Sequence, residues 1–251
     1  MHVSRREFHQ VFSLHPVTVT DVAAFLGDVE RGDNLLGAHA LELLRRGDSR
    51  GPDQLGQALT TFLADRHPIF VLTEISLTNW EAQIDRGIGM MMRPPARLFI
   101  DAGMDRPLAQ QMSIRLDHNA GSMAGAFVPA HLVGQLDGML EERLQRHLRR
   151  LREAELDPIA NMGLLLQAVA FAQSSGTGLI EATGVVDALD PGTPVVFADR
   201  NRLPKDLRTR LEAAAKPPKK PGLIARMFGG RSESSANGTE HHIPSPDDPA
   251  V

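Results

Sequence analysis

Ile69-Phe70-Val71-Leu72-Thr73-Glu74-Ile75-Ser76-Leu77 is the stretch on which the fold class turns. It is rich in β-branched residues and alternates apolar with polar side chains in its second half, which is the pattern of a strand. His67-Pro68 ends the helical pattern before it, because proline drives the preceding residue out of the helical region. Behind it, Thr78-Asn79-Trp80-Glu81 has capping-box spacing and predicts a short helix ending near Arg86.

Working outward toward the N-terminus, the apolar spacing turns helical. Thr20-Asp21 is placed to cap a helix through Val22, Phe25, Leu26 and Val29, which Gly32-Asp33-Asn34 breaks. Leu35, Leu36, Ala38, Leu41 and Leu44 form a second set, and Leu55, Ala58, Leu59, Phe62 and Leu63 a third that opens on Pro52. Three short helices are expected before the strand.

Toward the C-terminus, residues 112–117 are expected to form a second strand, closed by a glycine-rich run, and residues 194–199 a third. Leu132, Leu136, Leu140, Leu144, Leu148 and Leu151 recur at three or four residues and predict one long amphipathic helix over 129–155. Asp157-Pro158 is a cap followed by a first-turn proline, and the helix it opens, 158–173, is apolar nearly all round and therefore buried. Residues 178–186 fit neither period clearly. Leu203-Pro204 opens a charged helix to about residue 215.

The expected fold is helix-dominated α+β: a small sheet covered by a long amphipathic helix and a buried apolar helix. One globular domain is expected over 1–215, helical over 1–68, mixed over 69–128 and helical over 129–215. Residues 216–251 turn to Gly, Ser, Pro and acid and read as a disordered tail, with a short basic amphipathic segment at 222–231.

The 251 residues are 42% hydrophobic, enough for a buried core. They include no cysteine, which removes disulfides, thiolate nucleophiles, iron–sulfur clusters and Cys-based zinc sites. No apolar run reaches membrane-spanning length. Ser4-Arg5-Arg6 resembles the start of a twin-arginine signal, but the interrupted stretch behind it predicts no export. A cytoplasmic protein is expected, and the preference for Arg over Lys suggests a bacterial coding origin. Charge is segregated along the chain. Residues 1–199 carry 17 basic and 25 acidic side chains, net −8, whereas residues 200–231 carry 10 and 2, net +8. Nucleic acid binding is therefore expected only, if anywhere, through the 200–231 band.

Two segments hold candidate sites. Between residues 85 and 125, Arg93, Arg97 and Arg115 accompany Asp117, His118 and a glycine run from Gly121 to Gly125. Guanidinium forks beside free backbone amides suit a phosphate or carboxylate, with Asp117 or His118 as proton-transfer candidate. The run lacks the Gly-Lys-Ser/Thr ending of a Walker loop, and Gly87-Ile88-Gly89 lacks the third glycine of a dinucleotide fingerprint. Met90-Met91-Met92 is expected to fill core rather than bind soft metal, because consecutive side chains diverge. Histidine spacing matches no metal motif, so neither metal nor cofactor is expected.

The second segment is the basic band, where Lys219 and Lys220 precede Leu223, Ile224, Arg226, Met227 and Phe228. On a helix the four apolar residues share a face suited to a partner's groove or an anionic membrane surface. The leading expectation is accordingly a non-enzymatic binding or adaptor protein that contacts its partner through this tail. The alternative is an enzyme or sensor for a small anion held by the Arg/Gly-rich segment.

Overall fold

The computed structural model describes residues 12–72, 75–112, 126–184 and 192–216, all within the unit Met1–Lys216. Its strands are β1 (Phe12–Val17), β2 (Ile69–Leu72), β3 (Phe127–Val128), β4 (Gly178–Thr183) and β5 (Val195–Phe197). They form one sheet in the order β3-β4-β1-β2-β5, antiparallel throughout except for the parallel pair of β2 with β5.

Ten α-helices surround the sheet among the described residues: α1 (Val19–Arg31), α2 (Leu35–Arg45), α3 (Gly51–Ala64), α4 (Leu77–Gln83), α5 (Pro95–Asp101), α6 (Arg106–Ala109), α7 (Ala130–Glu142), α8 (Leu144–Glu153), α9 (Pro158–Ser175) and α10 (Lys205–Ala214). The helix-dominated α+β architecture expected from the sequence is thus observed. No helix among the described residues is long and apolar enough to cross a membrane.

Side chains on a strand alternate between faces, and here both faces are covered. Phe12, Leu14, Phe70, Leu72 and Leu179 pack on one side with α4 and α7 to α10. Val17, Phe127 and Ile180 pack on the other with α1, α2, α3 and α5. The most central helix is α9, which touches β1, β2 and β4 together with α7, α8 and α10. Its start is fixed by Asp157, whose side chain accepts the amides of Ile159 at 2.9 Å and Ala160 at 3.0 Å. Gly176 ends it in the left-handed region at φ 68°, where glycine carries no steric penalty.

Several expectations are corrected by this arrangement. The N-terminal third is not wholly helical, because β1 opens it and lies at the centre of the sheet. Phe12-Ser13-Leu14-His15 alternates apolar with polar over only four residues, and Pro16 then disguises the strand, all six residues of which are buried. Pairing with β2 runs only from Phe12 to Leu14, so the missing proline N–H costs no bond on that side. The cap of α1 is Thr18 rather than Thr20. Of the strand expected at 69–77, Ile69–Leu72 forms β2, residues 73–74 lie outside the described residues, and Ser76 accepts the amide of Asn79 to cap α4 from Leu77. Gly178–Thr183, which fits neither period clearly in sequence, is the other central strand. Of 112–117, Met112 lies in a turn and the remainder lies outside the described residues. The single long helix over 129–155 is two helices, parted at Arg143 with φ −106° and ψ 16°. There the Arg143 guanidinium reaches the carboxylate of Asp85, 3.1 Å from both oxygens.

Candidate functional site

Where β1 runs out into α1 and α9 turns back into β4, the surface opens into a cleft of about 520 Å³. Val17, Val19, Phe127 and Pro129 give it an apolar wall, and Arg93, Arg97 and Asp101 also line it. His131 and Gly176 complete it.

Each part of this cleft is held by local chemistry. At the β1–α1 junction, Thr18 accepts the Asp21 amide at 3.0 Å, while its own amide and hydroxyl donate to the Asp21 carboxylate at 2.9 and 2.6 Å. This reciprocal cap uses up the Thr18 hydroxyl within α1. Burial pushes the Asp21 carboxyl up, but the Thr18 bonds and His67, 3.3 Å away, outweigh it and hold the group below its usual range. Arg93 is fastened to β3 through its backbone: its amide donates to Phe127 O at 2.7 Å, and the Phe127 amide donates to Arg93 O at 2.9 Å. Its Nη1 also donates to the carbonyls of Met90 and Met92, at 2.8 and 2.7 Å. Pro94 and Pro95 then start α5, on which Arg97 stands one turn before Asp101, with Nε 3.0 Å from Oδ2. The Arg97 side chain is 61% exposed, leaving its remaining donors open to a ligand.

The apolar wall continues into α7, whose cap Pro129 makes no side-chain bond to the first turn. The Ala130 and His131 amides therefore lie at the positive end of a 13-residue helix, and both residues line the same cleft as Arg93 and Arg97. Gly178 lets β4 approach this corner closely. A Cβ there would lie 2.6 Å from Val128 O, 2.9 Å from the Phe127 ring and 3.2 Å from the Ala130 amide nitrogen.

The other polar clusters are closed to solvent. Ser13 Oγ lies 2.8 Å from His15 Nε2, but both residues are buried in the centre of the sheet, and burial drives the His15 imidazole down to about 3. Asp85 accepts the Gly87 amide at 2.9 Å and meets His147 Nε2 at 2.9 Å. Burial pushes the Asp85 carboxyl up, yet the Gly87 amide, His147 and Arg143 together bring it to about 2. His147 is lowered, chiefly by burial, against the opposing pull of Asp85. Glu181, fully buried on β4, accepts the amides of Leu77 at 2.6 Å and Ala126 at 3.3 Å and the Thr78 hydroxyl at 3.2 Å. Desolvation nevertheless raises it to about 7. These groups pin elements together.

Of the ligand-binding residues expected from sequence, Arg93 and Arg97 line the same cleft. Arg115, Asp117, His118, Gly121 and Gly125 lie outside the described residues, as do Lys219, Lys220, Leu223, Ile224, Arg226, Met227 and Phe228 in the tail. Met91 and Met92 are in the core, whereas Met90 is 70% exposed. Sequence reading missed the apolar wall. The bridge that joins Arg93 to Phe127 spans a stretch of chain with no readable register, so nothing in sequence announced that wall. Among the described residues, no group of three His, Asp or Glu side chains is placed to hold a metal ion. In comparison with known proteins, the chain matches no family model, no curated protein and no solved structure.

Proposed function

We propose that this chain is a binding protein for a small anionic ligand, a carboxylate or a phosphate, held in the cleft between α1, α5 and α7. The supporting observation is that Arg93 and Arg97 line one cleft of small-molecule size together with the open first turn of α7. Guanidinium groups and backbone amides both donate to oxygen anions with fixed geometry, and apolar lining in the same cleft gives a ligand an orientation. A cytoplasmic setting fits a site of this kind.

Thermal unfolding against inorganic phosphate, nucleotides, sugar phosphates and carboxylates tests the reading, because a ligand bound only by the folded state raises its stability. A rise with at least one anion, lost in Arg97→Gln, is expected. No rise with any of them at millimolar concentration contradicts it. The tether formed by Lys219, Lys220, Leu223, Ile224, Arg226, Met227 and Phe228 is a separate proposal, supported by the charge segregation of the sequence. Removing residues 216–251 is expected to abolish co-sedimentation with anionic vesicles or a partner, and unchanged association contradicts it.

A further inference from the structure

We infer that the cleft takes a monocarboxylate with an apolar body, an assignment that rests on the anion-binding reading and narrows it. Charge balance is the first reason. Arg93 and Arg97 bring two cations, but Asp101 sets a carboxylate 3.0 Å from Arg97 Nε, so the three together offer one net positive charge. A single carboxylate matches that balance. A phosphate ester, with a charge of about −1.5 to −2, exceeds it and lies against Asp101.

The second reason is the apolar lining. Val17, Phe127 and Pro129 are buried and back the cleft with side chains that carry no donors. Val19 beside them is 42% exposed although it is the first residue of a well-capped helix. An exposed apolar residue within a cleft is surface that an apolar ligand body removes from water. The headgroup is thus assigned to Arg97 and Arg93, and the chain to Val19, Phe127 and Pro129. Each methylene added to such a chain tightens binding by about three- to fourfold while it still fits the cleft.

Isothermal titration of the full chain with butyrate, hexanoate, octanoate, inorganic phosphate and octylamine tests the assignment. Affinity is expected to climb about three- to fourfold per methylene from butyrate to octanoate. Arg97→Gln is expected to weaken octanoate about tenfold, the loss typical of one charge-assisted contact. Octylamine, with the same body and the opposite charge, is expected not to bind. Arg97 is exposed and its variant keeps the fold, whereas Arg93→Gln also removes two bonds to carbonyls and is read alongside circular dichroism. Phosphate binding more tightly than octanoate and weakened by Arg97→Gln would overturn the monocarboxylate assignment and leave the anion site standing. Chain-length dependence unaffected by either arginine variant would overturn the assignment as well. Binding of none of the five overturns the monocarboxylate assignment, while the anion reading falls only if the nucleotides and sugar phosphates also fail to raise stability.

Discussion

The Glu181 carboxylate accepts the Leu77 amide hydrogen at 2.6 Å, so a central strand of the sheet holds the first turn of α4. The same carboxylate takes the Ala126 amide just ahead of β3 and thereby joins three parts of the chain that are distant in sequence.

Burial raises Glu181 from 4.5 to about 7, so the folded protein binds this proton over a range in which the unfolded chain has released it. Its contribution to stability is present below about pH 4.5 and is lost as pH rises through about 7, a change of about 3 kcal/mol. Urea unfolding of wild type and Glu181→Gln at about pH 4 and about pH 8 isolates it. The wild-type advantage over the variant is expected to shrink by that amount at the higher pH, and a constant difference contradicts the assignment.

His15 works in the opposite direction on the other face of the sheet. Burial lowers it from 6.5 to about 3, so it stays neutral in the fold while the unfolded chain takes up a proton. The stability it contributes is present above about pH 6.5 and drains away as pH falls. Between about pH 7 and about pH 4, wild type is expected to lose about 3 kcal/mol more than His15→Gln. Parallel pH profiles of the two proteins are the contrary result.

Asp85 is the buried carboxylate of a triad whose other members are Arg143 and His147. Asp85→Ala strands both partners and is expected to cost about 3–5 kcal/mol in the denaturant midpoint. A cost under about 1 kcal/mol, the range of an exposed ion pair, shows that the triad does not hold α8 in place.

Gly178→Ala places a methyl group 2.6 Å from Val128 O and pushes β3 and the start of α7 away. The expected outcome is a loss of about 1–3 kcal/mol by thermal unfolding, together with weaker octanoate binding, because Phe127, Pro129 and Ala130 line the cleft. Unchanged stability and affinity contradict the close approach.

The elements readable in sequence were those with one dominant signal. The run of β-branched residues announced β2, the repeated leucines announced the stripe on α7 and α8, and Asp157-Pro158 announced the start of α9. The elements missed were those whose environment removes the signal. Buried on both faces, β4 shows no clear alternation, β1 alternates only over Phe12-Ser13-Leu14-His15, and Pro16 and Gly178 read as breakers although pairing tolerates each of them. The break at Arg143 has no local cause, since neither Gly nor Pro is present, and it appears only once Asp85 stands opposite. For the site, Arg93 and Arg97 were legible as cations four residues apart, but Phe127 is brought beside Arg93 by a bridge that no local pattern encodes.

The most direct test of the cleft is backbone amide chemical-shift mapping by NMR during titration with octanoate and, separately, inorganic phosphate. The expected result is that octanoate moves the amides of Val19, Arg93, Arg97, Ala130, His131 and Gly176 together and saturably. Shifts that gather elsewhere on the surface, or no shift of these amides with either ligand, contradict the account.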